Sequence, residues 1–198
     1  FAILLGIPTG VLAAVKRGTF WDYIARGVAI IGQGAPPFVI GLLLIVIFAV
    51  WLQDTPFELP AAGRPPQFNI KTYILPCIAL GWPAAAGLMR LTRSAMLEVL
   101  DSEFVKLARA KGVGWNKVIY KHALKNALIT PLTSALLLFS GWLNGALVIE
   151  IIFGWPGIGY DALFTAVNDN DFPLLQGTVF FFVIIFVIFA LLADLLYT

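Results

Sequence analysis

The sequence predicts an all-α, polytopic membrane protein, and three observations carry that prediction. Hydrophobic residues make up 60% of the 198 and charged residues only 12%, about half the charged share of a soluble domain. Mean hydropathy is +0.92, which excludes disorder and leaves too little polar surface for a water-soluble domain of this length. Uncharged runs recur at 27–53, 126–149 and 172–193, and a helix needs roughly 20 such residues to cross hydrocarbon.

Taken in order, the chain reads as five spans. Residues 1–15 look like the end of a first span. Phe1 lies inside an apolar run with no initiator Met and no charged leader region, so the chain is expected to be a fragment lacking its N-terminus. The second span is 27–53. The third is 72–89, extendable to about Ala95 if Arg90 and Arg93 snorkel toward head groups. The fourth and fifth are 126–149 and 172–193. None of the runs alternates as a barrel strand would, so helices are the expectation. Pro8, Pro36, Pro37, Pro76 and Pro83 sit in or near them and are expected to kink rather than break them.

Charge orients the spans. Lys16, Arg17 and Arg26 flank the first connection. Arg90, Arg93, Lys106, Arg109, Lys111, Lys117, Lys121 and Lys125 fill the third. The second connection carries only Arg64 and Lys71 against Asp54 and Glu58. The fourth has Glu150, Asp161, Asp169 and Asp171 and no base. Eleven of the 13 basic residues therefore fall on one side of an alternating topology, and that side is expected to be cytoplasmic. Loops 16–22 and 96–126 are then cytoplasmic, and residues 194–198 end near that face. Trp21, Trp51 and Trp155 fall near span ends, where interfacial indoles are favoured. Arg26, about one turn inside its helix, is expected to snorkel.

The stretch from about 96 to 126 is unlike the rest. Asp101 or Ser102 can cap a short helix, with Glu103 at the positive end of its dipole. Phe104, Leu107, Ala108 and Lys111 follow at i, i+3, i+4 and i+7, a small apolar face edged by bases. Gly112 is a natural stop, and a second amphipathic piece, 115–128, leads into the next span. On residue types alone, two readings stay open: a positive-inside loop with interfacial helices, or a docking element.

The order of residues in this loop resembles the cytoplasmic signature loop of bacterial ABC importer permeases. The carrying segments are Glu103-Phe-Val-Lys-Leu-Ala-Arg-Ala-Lys-Gly112 and Lys121-His-Ala-Leu-Lys-Asn-Ala-Leu128. The similarity is greatest to the dipeptide/oligopeptide family. Gly6-Ile-Pro-Thr-Gly10, Arg90-Leu-Thr-Arg-Ser-Ala-Met-Leu-Glu-Val99 and Glu150-Ile-Ile-Phe-Gly-Trp-Pro-Gly-Ile-Gly159 resemble the same family, in the same order. Two departures stand out. An Ile-x-Leu-Pro ending is replaced by His122-Ala-Leu-Lys125, and a proline is displaced from Thr130 to Pro131.

The resemblance implies a type I ABC importer transmembrane domain, with 1–198 a single domain holding five helices of six. It implies a pore-forming permease subunit of an ATP-driven, binding-protein-dependent importer for di- or oligopeptides. The implied setting is the plasma membrane of a prokaryote, the inner membrane if Gram-negative. Implied partners are a second permease subunit, two ATP-binding subunits, an external solute-binding protein and membrane lipid; no nucleic acid is expected. The chain has no GxxxxGK[ST] phosphate loop, so ATP and Mg are expected on the partner ATPases, with no cofactor and no catalytic residue here. Glu103, Phe104, Lys106, Ala108, Arg109, Lys111 and Gly112 are the candidate ATPase-coupling residues. Phe104 and Ala108 would enter a cleft, and the charges would rim it.

Trp155, Pro156, Gly157 and Gly159 are candidates for an external gate or docking segment, against the alternative of an ordinary external loop. Gly6/Gly10 and Gly141/Gly145 give GxxxG spacings, open between generic helix packing and a subunit interface. One cysteine, Cys77, rules out an intrachain disulfide and a cysteine-built metal site; no metal site is expected. The lone His122 is read as structural, Glu150 and Asp194 as span-end carboxylates reaching water, and Phe180, Phe181, Phe182, Phe186 and Phe189 as lipid-facing. The same class of transporter also moves nickel, glutathione or oligosaccharide, and these remain alternatives. A secondary transporter would want paired ionisable groups at mid-span or inverted repeats, and an intramembrane enzyme a catalytic dyad inside a span; neither pattern is found.

Overall fold

The structure is a computed structural model that describes residues 1–60 and 69–195, and at 139, 140, 143, 144, 193 and 194 the backbone alone. Arg64 and residues 196–198, invoked above for sidedness, lie outside the described residues. The described chain is helical. Its elements are α1 (Ala2–Val15), α2 (Phe20–Gly34), α3 (Pro37–Ile45), α4 (Lys71–Leu100), α5 (Glu103–Ala110), α6 (Trp115–Lys117), α7 (Leu124–Ala127), α8 (Ile129–Phe153), α9 (Thr165–Asn168) and α10 (Phe172–Leu195). Three π-wound segments, Val46–Trp51, Val118–Ala123 and Ile158–Phe164, continue or precede these helices. Among the described residues two helices are long and apolar enough to cross a membrane, rising to four if each bent pair counts as one span.

The second expected span departs from its expectation. Pro36 takes an extended conformation (φ −59°, ψ 147°) between α2 and α3, so the chain breaks there where only a kink was expected. Proline disfavours helical geometry in the residue before it, and here that residue is itself a proline. By contrast Pro76 and Pro83 sit inside the uninterrupted 30-residue α4, which runs past the expected end near Ala95 to Leu100.

The chain divides into two compact units. The first comprises residues 1–34 and 83–135. Its helices meet through small residues: Ala13, Ala29, Ala86 and Met89 form one buried cluster. A Cβ on Gly6 would lie 2.7 Å from the Ala85 carbonyl oxygen, and one on Gly10 2.6 Å from Thr92 Cβ. Glycine at these two positions lets α1 approach the α4 backbone closely, so this GxxxG pair makes a contact within the chain. A second cluster joins Val11 and Ala14 of α1, Met96 of α4, and Ile119, Ala123 and Ala127 of the loop.

The second unit comprises residues 35–82 and 136–198. Its core is larger-grained: Ile40, Leu44, Leu75, Ala79, Ile149 and Phe153. Gly145 brings α8 toward Leu80, whose Cδ1 would be 3.2 Å from an added Cβ, whereas Gly141 faces open space. At the start of α10 the Asp171 carboxylate accepts the Leu174 N–H at 3.0 Å, a side-chain N-cap. Beyond it Phe180, Phe181 and Phe186 are exposed, an outward apolar surface of the kind lipid covers.

Candidate functional site

The loop helix α5 lies in the first unit, and its amphipathic face differs in detail from the expected one. Val105 is the buried residue, 1% exposed, while Phe104 and Leu107 stand exposed at 45% and 56%. Ala108, expected beside Phe104 on the outer face, is half-buried. The helix packs on the π-wound segment Val118–Ala123, with Val105 turned inward and Phe104 and Leu107 outward. Glu103, Lys106, Arg109 and Lys111 are exposed around them. Lys106 Nζ donates to Glu103 Oε1 at 2.8 Å, and this hydrogen bond, then the neighbouring negative charge, raises the ammonium above its ordinary pKa. The expected side-chain cap is not made: Ser102 Oγ donates back to the Val99 carbonyl, finishing α4 rather than starting α5.

The end of α5 is a complete Schellman stop. The Val113 N–H donates to the Ala108 carbonyl at 3.2 Å and the Gly112 N–H to Arg109 at 2.9 Å, with Gly112 at φ +77°. Both bonds are those of the motif, and its left-handed residue is why glycine stands here. Across the elbow the Arg109 guanidinium carbon lies 4.9 Å from the Trp115 ring centroid, a cation–π contact joining the two helical pieces. The π-winding of Val118–Ala123 places Val118, Ile119 and Ala123 all inward.

The turn after α8, in the second unit, is built around a carboxylate. Gly154 has φ +54°, and the Trp155 N–H donates to the Glu150 carbonyl at 2.8 Å, so α8 also ends in a Schellman stop. The chain then folds back by 90° into the helix Ile158–Asn168. Glu150 Oε2 accepts the Gly159 N–H at 2.8 Å and the Tyr160 N–H at 3.1 Å, satisfying orphan donors at the new helix start. The half-buried Glu150 carboxylate is thus turned onto these backbone groups through Oε2. It occupies the space a Cβ on Gly157 would need, and Leu147 crowds Gly159 in the same way. Trp155 packs edge-on against Tyr73, ring centroids 4.6 Å apart. Tyr73, Cys77, Leu80, Ala146, Glu150 and Trp155 help to enclose a cavity of about 180 Å³.

Among the described residues no group of three His, Cys, Asp or Glu side chains could hold a metal. Sequence reasoning missed Val105 and Asp22 and the role of Glu150. Val105 fell outside the counted periodicity, the partners of Glu150 lie nine and ten residues further on, and Asp22 was overlooked beside the more numerous bases. Arg93, expected to snorkel outward, turns inward and grips the Asp22 carboxylate with Nε and Nη2 at 2.8 and 3.0 Å.

With the geometry described, comparison with known proteins decides the family. The family of binding-protein-dependent transport system inner membrane components matches residues 6–198. This chain belongs to that family. It is 40% identical to the dipeptide transport system permease protein DppB of Alkalihalophilus pseudofirmus, over 100% of this chain and 66% of that protein. It is 36% identical to the glutathione transport system permease protein GsiC of Escherichia coli K12 and 38% to that of Pectobacterium atrosepticum. Each of those alignments covers 100% of this chain and 62% of the relative. The chain thus spans slightly less than two thirds of the length of these relatives. A chain of a solved amino acid ABC transporter, crystallised with histidines, shares the fold with a TM-score of 0.70. That match covers 98% of this chain and 85% of that one at 15% identity. This member of the transport family is accordingly an all-α, multi-pass inner-membrane component with an ABC-transporter permease fold.

Proposed function

We propose that this chain is the pore-forming permease subunit of an ATP-driven, binding-protein-dependent importer whose cargo is a di- or oligopeptide. The observation that carries the reading is α5 itself. It is an eight-residue helix that buries one side through Val105, exposes Phe104 and Leu107, and ends in a glycine elbow tied across by Arg109 and Trp115. An exposed apolar pair ringed by Glu103, Lys106, Arg109 and Lys111 is what a helix offers to a groove on a partner, and the charges would set orientation more than affinity.

In this reading residues 1–198 form one transmembrane domain and about 96–126 is the coupling loop on the cytoplasmic side. The partners are a second permease subunit, two ATP-binding subunits that hold ATP and Mg, and an external solute-binding protein. The chain is a transport subunit, not an enzyme. Closure of the ATPases would push the α5 helices together and turn the pore from inward- to outward-facing. Trp155, Pro156, Gly157 and Gly159 would form a rigid outer-mouth segment, braced by Glu150.

Peptide cargo is supported by the 40%-identical dipeptide permease, and glutathione is the second reading, supported by the two glutathione permeases. Disrupting this subunit and measuring uptake of a radiolabelled dipeptide and of radiolabelled glutathione separates them. The expected result is loss of dipeptide uptake. Normal dipeptide uptake with lost uptake of glutathione, nickel or oligosaccharide would overturn the cargo and leave the importer standing.

A further inference from the structure

The first unit contains a buried ionic knot that the proposed function does not use. Asp22, in the first turn of α2, is 1% exposed, and three elements converge on its carboxylate. From α4, Arg93 donates through Nε to Oδ1 at 2.8 Å and through Nη2 to Oδ2 at 3.0 Å. From the α1–α2 turn, the Gly18 N–H donates to Oδ2 at 3.0 Å, with Gly18 at φ +75°. From its own helix, Arg26 brings Nε to 3.3 Å while its guanidinium stacks 4.8 Å from the Tyr23 ring centroid.

A buried charge is costly unless paired and hydrogen-bonded, and a two-pronged guanidinium–carboxylate bond fixes direction as well as distance. What surrounds it makes that direction matter. Where α1, α2 and α4 approach most closely the contacts are made largely by small residues, Gly6, Gly10, Ala13, Ala29 and Ala86, beside the larger Met89. Such surfaces allow close approach but carry few large knobs to resist sliding or rotation. Arg93 also lies seven residues before Leu100, about 10 Å along the helix, at the root of the chain that leads into α5.

We propose that Asp22 is a positioning residue for energy coupling. By gripping Arg93 and the Gly18 N–H it makes the α1–α2 turn and the loop end of α4 one rigid body, so that a push on α5 moves the bundle instead of bending α4. This rests on the reading of α5 as the element the ATPases push.

The test uses the assembled transporter in lipid, with Cys77→Ser in this subunit and nitroxide labels at cysteines replacing Leu12 in α1 and Glu98 in α4. Pulsed electron paramagnetic resonance reads the distance between them, with and without ATP plus vanadate. With Asp22 intact, one narrow distribution that does not change on ATP and vanadate is expected. Asp22→Asn should lose the narrow peak and make the distance respond to ATP and vanadate. Arg93→Lys keeps the charge but not the fork, so it should fall between. A purely structural role would lower the yield of assembled complex while leaving the distribution of the folded fraction unchanged. Unchanged width in both variants, or a distance that already shifts with Asp22 intact, overturns the proposal. Phe104→Asp, assayed alongside for stimulated ATP hydrolysis, judges the α5 reading separately, because the width of the distance distribution without ATP does not depend on it.

Discussion

Two helix ends in this molecule follow one hydrogen-bond plan and then diverge. After α5 the bonds run from Val113 to Ala108 and from Gly112 to Arg109; after α8 they run from Trp155 to Glu150 and from Gly154 to Ile151. Both stops use a glycine at positive φ. Around Gly112 an added Cβ would meet nothing within 4 Å, whereas Gly157 and Gly159 are filled by Glu150 and Leu147. The first stop has open space at its glycine, and it is held by backbone conformation and by the Arg109–Trp115 contact across it. The second is a packed turn that depends on volume and on a carboxylate.

The packed turn should break first. Gly159→Val would drive side-chain carbons into Leu147 and Glu150, overpacking that costs about 3 kcal/mol. It should lower the thermal unfolding midpoint of the purified subunit more than any change at Glu150 or at the elbow. Glu150→Ala removes the acceptor and leaves the Gly159 and Tyr160 N–H groups unpaired, at about 2 kcal/mol. Glu150→Gln keeps an acceptor oxygen and should cost less than half of that in the same melt.

At the elbow the stability effect should be smaller and the functional effect larger. Gly112→Val puts a branched side chain at φ +77°, a strain of about 1 kcal/mol or somewhat more, yet it should misdirect the second loop helix and abolish transport by inserted, folded complexes. The smallest effect belongs to the Glu103–Lys106 pair, which is exposed at both ends. Because Glu103 raises the Lys106 pKa, any stabilisation is fully present below the unfolded ammonium pKa and is lost only as pH rises through the raised value. A double-mutant cycle at neutral pH should find negligible coupling and no pH dependence.

These contrasts also mark how far the sequence could be read. Helices and the Gly112 stop follow from rules that act over a few residues: apolar length and glycine after an amphipathic run. The span ends were less legible. Two prolines at Pro36–Pro37 break a helix where Pro76 and Pro83, in a run of α4 well packed by its neighbours, do not. The inward turn of Arg93 was illegible because it depends on Asp22, 71 positions away, and the brace at Glu150 because it depends on a chain reversal. The face of α5 was half legible. Periodicity named Phe104 and Leu107, but the side the helix buries, through Val105, depends on its packing against the distant segment Val118–Ala123.

The central claim is that α5 is the coupling element, and one measurement addresses it most directly. Phe104→Asp changes an exposed side chain, so the subunit should fold and insert normally. A carboxylate on that face would have to be desolvated in a partner cleft at a cost of several kcal/mol, and each 1.4 kcal/mol weakens binding about tenfold. Complexes carrying Phe104→Asp, matched for assembled permease in lipid, should lose ATP hydrolysis stimulated by the cargo-loaded binding protein and recover far less ATPase on pull-down. Full stimulation and full ATPase recovery in well-assembled Phe104→Asp complexes would contradict the account.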